Sequence, residues 1–336
     1  MLEKRLSTHL LKTIILGLMV GLFGCENKTI NKTINNTYNT TNSNINQNLP
    51  LVVATNSVIC DLTKQVAEDT INLICLIPPG INPINYQPIP EDIQTIKNAD
   101  LLLYHGYEFE PGLMKIIKVI KNSKLKIAVA QRAVINPLKI IKNRKQIIEP
   151  HVWHNPNNTI KMVEIINSSL IKLSPKNKNI YNKNTEKVTE EIDQINNWIK
   201  VRLASIPAKN LKLITTNSAM IYYVNSYNIP YPVNLANVKN AQKLTDTKVK
   251  ILARDIQKAQ VPTIFADTNT NSNLLVPIAT QEKVKVFQRS LYIDGLGKPG
   301  TDGETYQKMM AANTRIILEG LGGTYLKFEP KNSQNQ

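Results

Sequence analysis

Residues 177–204, NKNIYNKNTEKVTEEIDQINNWIKVRLA, contain no glycine or proline, and their apolar members Ile180, Val188, Ile192, Ile195, Trp198, Ile199 and Leu203 recur at spacings of three and four. That stripe predicts a single helix of about seven turns at 3.6 residues each, with one buried face. A rod of this length acts as a strut. Whatever precedes it and whatever follows it must pack on the same rigid element, and the two parts should move little against each other.

On both sides of the strut short apolar runs alternate with amphipathic stretches. Before it stand LVVAT (51–55), INLICLI (71–77), LLLYH (101–105) and LKIAVA (125–130); after it stand LKLITT (211–216), PYPVNLA (230–236), TIFAD (263–267) and VKVFQ (284–288). Unbroken apolar runs read as parallel strands covered on both faces. The expected fold is therefore α/β: two lobes, each with a mostly parallel sheet flanked by helices, joined by one long rigid helix. The reading divides the chain into an N-terminal lobe at 51–174, the linking helix at 175–206 and a C-terminal lobe at 207–330.

The first 50 residues read differently. Lys4, Arg5 and Lys12 precede an apolar run over 13–23 that ends in Leu22, Phe23, Gly24 and Cys25. The run is too short to cross a hydrocarbon core of about 30 Å as a helix, so it reads as a signal peptide over 1–24. Its end resembles the lipobox of bacterial lipoproteins, with Cys25 the residue to be acylated. Residues 25–50, rich in Asn and Thr, carry too little apolar surface to offset their ordering entropy and read as a disordered tether. The expected location is the periplasmic or extracytoplasmic face of the cell membrane, lipid-anchored.

The formal charge of +16 raises nucleic acid or an anionic membrane as partners. The lysines are spread among Asn and Ile with no stacked-aromatic groove, so no nucleic-acid partner is expected, and attraction to anionic lipid is a side effect of composition. Cys60 and Cys75 remain after Cys25; one falls in a predicted helix and the other in the next strand, and spacing leaves their pairing open. No Cys-x-x-Cys is present, so a thiolate metal site is unsupported.

In open α/β sheets ligands bind beyond the carboxyl ends of the strands, here the cleft between lobes. The turns to search are 78–88, EPHVWHNP (149–156), Thr216 to Ser218, and Tyr292 to Gly295. EPHVWHNP holds His151 and His154, two of the four histidines. Neutral imidazole is the commonest side-chain ligand for zinc and its neighbours, although two loop histidines are also compatible with simple solvation. No Ser/His/Asp or Cys/His arrangement, phosphate loop or carboxylate pair is evident, so no enzyme is expected.

Taken together, these residues resemble the metal-binding lipoproteins that serve ABC importers as solute receptors for zinc, manganese or iron, most closely zinc-type receptors of the cyanobacterial kind. The resemblance covers residues 51–328 and is most specific in SVICDLTKQVAEDTINLICLIPPG, EPHVWHNP, VPTIFAD and YIDGLGKPGTDGETYQKMMAANTRIILEGLGG. It implies capture of a divalent ion, zinc ahead of manganese, and delivery to a separate permease and its ATPase by a receptor expected to act as a monomer. It also implies four ligands, two per lobe. His151 and Asp294 stand at two of these positions; Ile84 occupies the third, where a histidine is usual, and Asn217 the fourth. Asn217 offers at most a weak oxygen ligand, and His154 is the spare imidazole that could substitute. Asp267 falls where an acid often borders the site, behind the ligands. Glu149 replaces an aspartate before Pro-His, a change expected to be neutral. The histidine-rich loop of many such receptors is absent, and residues 139–146 carry lysines instead. The alternative reading is a surface lipoprotein on the same fold that has lost tight metal binding and serves no transport.

Overall fold

A computed structural model describes residues 46–120, 125–142, 145–231, 233–234 and 245–331 of the chain. The predicted signal peptide, the acylation site Cys25 and most of the tether lie outside the described residues. The last tether residues are pinned: the Asn72 side-chain amide donates to the carbonyls of Asn46 and Leu49, and its oxygen accepts from Asn46 N–H.

The first sheet is parallel throughout, in the order β2-β1-β3-β4, from β1 (Leu51–Ala54), β2 (Asn72–Cys75), β3 (Leu101–Tyr104) and β4 (Lys126–Ala128). Alternation decides which residue faces where. Val52, Ala54, Leu101 and Leu103 enter the central core, whereas Val53 and Leu102 enter a second core beneath α2 (Pro90–Asn98) and α3 (Pro111–Val119). Side chains one apart on a strand point to opposite faces, so each run must be apolar at every position. Helix α1 (Ser57–Ala67) starts at Asn56, whose side chain accepts from Ile59 N–H. Cys60 on α1 and Cys75 on β2 form a disulfide, with Cα atoms 5.8 Å apart, in keeping with an oxidising compartment.

The predicted strand over 125–130 is cut short. Val129 and Ala130 instead open α4 (Val129–Ala133), because His105 O accepts from the amides of Ala130 and Gln131 and turns the chain. A buried apolar run looks the same in strand and helix. Of the stretch 139–146, expected as a loop, the described residues form antiparallel strands β5 (Lys139–Lys142) and β6 (Lys145–Ile148).

After α5 (Pro156–Leu173) comes the expected strut, α6 (Lys178–Leu203), 26 residues long. Its buried face holds Tyr181, Val188, Ile192, Ile195, Ile199 and Leu203, while Ile180 turns outward. Trp198 packs edge-on to Tyr325 and Phe328 of the C-terminal segment.

The second half repeats the layering with shorter strands. β7 (Ile214–Thr215) pairs with β8 (Val233–Asn234), and β9 (Thr263–Ile264) with β10 (Lys285–Val286), all parallel. A bridge between Thr215 and Phe265 joins the two pairs. Leu213 and Phe265 face the central core, and Ile214, Ile264 and Ala266 face α8 (Asp246–Ala259) and α9 (Val276–Glu282). The short helix α7 (Ile221–Ser226) and the long α10 (Tyr306–Leu321) complete the packing. Both halves and α6 contribute to one continuous core, which fixes the carboxyl ends of the two sheets relative to each other.

Candidate metal site

Asp294 is the hub. It sits 2 % exposed in the loop 293–296, and Gly295 beside it leaves room for Ser57, whose Oγ would lie 2.8 Å from a Cβ there. Ser57 Oγ accepts from Leu296 N–H, Leu296 O accepts from Gly80 N–H, and Ile293 O accepts from His154 Nε2–H at 2.9 Å. The loop of the second half is thereby fastened to turns of the first.

Four donors converge on the Asp294 carboxylate. His151 Nε2 lies 3.2 Å from Oδ1, which also accepts from Asn217 Nδ2 at 3.1 Å; Oδ2 accepts from Asn82 Nδ2 at 2.9 Å and Asn269 Nδ2 at 2.7 Å. The amide orientation of two of these asparagines is set locally. Asn82 Oδ1 accepts from Ile84 N–H and Asn217 Oδ1 from Ala219 N–H, each capping a short 3-10 turn, so their NH2 groups are the ends left to face Asp294.

His151 is placed by the peptide before it. Glu149 N–H donates to Leu138 O at the base of the hairpin, and the Glu149 carboxylate contacts His151 Nδ1 while accepting from Ser218 Oγ at 2.9 Å. Burial opposes charge on His151, but the attraction of Glu149 and the hydrogen bonds to Asp294 and Glu149 outweigh it and raise its pKa to about 9. Burial likewise works against charge on Glu149, and the His151 cation with its hydrogen bond holds that carboxyl below its ordinary value. Both ring nitrogens thus carry protons and bridge two buried carboxylates. A carboxylate on Nδ1 is also what orients an imidazole to ligate through Nε2, and an incoming ion competes with the proton there. Glu149, read from sequence as a neutral replacement for an aspartate, keeps the carboxylate that contacts His151 Nδ1 and aims the ring.

The rest of the motif forms an aromatic block. Trp153 is fully buried, its ring centroid within 5.1–5.4 Å of those of His151, His105, Phe109 and His154. Burial lowers His154 to about 4 and His105 to about 3, so both are neutral. His154 spends Nε2–H on Ile293 O, and His105 spends its own on Pro150 O at 2.7 Å. Asp267 accepts from Thr216 Oγ1, Thr270 Oγ1 and Asn269 N–H, and so reaches the site through Asn269. Ile84, in the turn Pro83–Asn85, is 43 % exposed.

The residues fit a cation as a partial shell. Two ligands bonded at about 2.0–2.1 Å to a tetrahedral zinc stand roughly 3.3 Å apart, close to the His151–Asp294 separation of 3.2 Å. Among the described residues, however, no three His, Cys, Asp or Glu side chains come together in a group that could hold an ion. Asn82, Asn269 and His105 were not singled out from sequence; the Asp294 partners Asn82 and Asn269 lie 212 and 25 residues away along the chain, beyond the reach of local spacing.

Residues 52–320 match the family model described as zinc-uptake complex component A, periplasmic. A manganese ABC transporter substrate-binding lipoprotein of Streptococcus gordonii is 30 % identical over 275 residues, 80 % of this chain and 88 % of that protein. The metal ABC transporter substrate-binding lipoprotein of Streptococcus cristatus is 29 % identical over the same shares. Among solved structures, the periplasmic zinc binding protein TroA from Treponema pallidum is 25 % identical with a TM-score of 0.72, covering 81 % of this chain and 99 % of that one. Among the described residues no helix is long and apolar enough to cross a membrane.

Proposed function

The chain belongs to the family of zinc-uptake complex component A, the substrate-binding component of metal ABC transporters, and from that premise we propose that it captures a divalent ion between His151 and Asp294 and hands it to a separate permease and ATPase. It is a lipid-anchored carrier with no catalytic step. The observation that carries the reading is the buried His151 Nε2 and Asp294 Oδ1 facing each other at 3.2 Å, with Glu149 behind the ring. Zinc is the first candidate, since imidazole and carboxylate are both among its usual ligands; manganese, for which the Streptococcus gordonii relative is named, is the competitor.

A second reading has its own support. The Asp294 carboxylate already accepts from three asparagine amides, and Ile84 offers no lone pair, so a surface lipoprotein that has lost tight metal binding is the alternative. Isothermal titration of the metal-stripped protein with zinc chloride and manganese chloride separates the two. Saturable heat at micromolar ion that disappears in His151→Ala and in Asp294→Ala supports the carrier; no heat with either ion overturns it. Saturation by manganese but not by zinc would retain the carrier and overturn zinc.

A further inference from the structure

The β5–β6 hairpin stands out from the body. Two-stranded hairpins are marginal in water unless something covers them, yet this one is exposed along β6, with Ile147 and Ile148 at 37 % and 38 %, and at Ile141 of β5, which is 81 % exposed. Ile135, just upstream, is 85 % exposed. The register Lys139↔Ile148, Ile140↔Ile147 and Ile141↔Gln146 places paired side chains on the same face. One face therefore carries Lys139, Ile141, Gln146 and Ile148, and the other Ile140, Lys145 and Ile147. Each face thus mixes isoleucines with a lysine. The sequence over 131–148 contains Arg132, Lys139, Lys142, Arg144 and Lys145 and no Asp or Glu.

We propose that this hairpin is a contact element for an anionic phospholipid surface. Apolar side chains that enter the headgroup boundary, flanked by cations that pair with lipid phosphates, are the pattern of interfacial binding. A protein partner would need to complement one flat apolar face, and the hairpin has none; a fluid interface wets both. The surface is also at hand, because the family is lipid-anchored by the names of its relatives. The hairpin base is rigid: Leu138 N–H donates to Tyr222 Oη at 2.8 Å and Leu138 O accepts from Glu149 N–H at 2.9 Å. Glu149 is the residue that aims His151, so a hairpin resting on lipid orients the ion cleft relative to the membrane in which a permease would sit.

The test uses residues 26–336, which contain the compact unit Ile45–Gln336 and lack the acylated cysteine. Sedimentation with vesicles of about three parts phosphatidylglycerol to seven of phosphatidylcholine, against pure phosphatidylcholine, reads the partition; each lysine at an anionic surface is worth roughly fivefold. Binding to the anionic vesicles alone is expected, weakened at least about twentyfold by Lys139→Glu with Lys145→Glu and left within about twofold by the distant pair Lys97→Glu with Lys258→Glu. Ile141→Trp should shift its emission to the blue on anionic vesicles only. Equal loss in both charge-reversed pairs would mean bulk attraction of a basic protein and would overturn the assignment. So would no binding to either vesicle, in which case loss of ion uptake in the hairpin variant would point to the permease as occupant. Circular dichroism of each variant confirms that it is folded.

Discussion

Two turns approach Asp294 from the N-terminal half, and they are built in opposite ways. In the turn at 149–154, Glu149, His151, Trp153 and His154 are each at most 3 % exposed, and the charges of Glu149 and His151 are partnered inside. In the turn at 80–88, Ile84 is 43 % exposed, Asn85 is exposed, and Asn82 is the side chain that reaches Asp294. The first turn is part of the core; the second rests on it. A side chain in the buried turn is tied to stability, whereas position 84 can change at almost no cost to the fold. On the proposed reading, the ligand that survives in the N-terminal half, His151, is the one the core enforces.

The largest expected effect tests that contrast directly. Trp153→Ala removes the ring that packs against His151, His105, Phe109 and His154, and should cost about 3–5 kcal/mol in urea unfolding of metal-free protein. A loss under about 1.5 kcal/mol would show that the block tolerates collapse and that the turn is not core in the energetic sense. Next comes Asp294→Ala. It leaves the His151 cation and three amides without their acceptor, and removing one partner of a buried pair costs about 3–5 kcal/mol. Because the amides can recruit water from the cleft, the lower end, about 3 kcal/mol, is expected; unchanged stability would mean that the hub is already hydrated.

Much of this scaffold was legible beforehand. The strut α6 was readable because its face is fixed by a period of 3.6 over seven turns, and β1 and β3 because strands buried on both faces are apolar at each position. The hairpin at 139–148 was not, since exposed on both faces it has no buried side to imprint alternation. In the site, His151 and Asp294 were visible through their motifs, whereas Asn82 and Asn269 gain meaning only once folding brings them to Asp294. Glu149 was in plain view as a neutral replacement, but that its carboxylate meets His151 Nδ1 became visible only with the fold.

A smaller effect lies just below the buried turn. Glu110 is fully buried, and burial raises its pKa to about 7 against the hydrogen bonds from Asn56 and Thr55 that pull it down. A carboxyl whose folded pKa exceeds its unfolded one is favourable to the fold below the unfolded value, near 4.5, and that contribution is lost as pH rises through about 7. The loss between pH 4.5 and pH 8 should be about 3 kcal/mol at most, from the roughly 1.4 kcal/mol that each unit represents. Glu110→Gln, which keeps an oxygen for Thr55 and Asn56, should remove that slope in the difference between the two unfolding profiles. Asp61, which burial raises to about 6, and His105 and His154, which it lowers to about 3 and 4, titrate alike in both proteins and cancel in that difference. Parallel profiles for wild type and variant would place the Glu110 proton elsewhere.

Position 84 gives the smallest effect on stability and the sharpest on binding. Ile84→Ala should stay within about 0.5 kcal/mol of the parent, as surface substitutions do. Ile84→His changes neither a buried contact nor the Ile84 N–H bond to Asn82, which is made by the backbone. It supplies the imidazole that the exposed turn lacks, and a third protein ligand is the usual minimum for zinc. Titration should show zinc affinity rising at least about tenfold, or roughly 1.4 kcal/mol, with the unfolding midpoint of the metal-free protein unmoved. Unchanged affinity would place the side chain at 84 outside reach of the His151–Asp294 pair. Asn82, already bonded to Asp294 from the same turn, would then be the point where that turn ends as a contributor to the site.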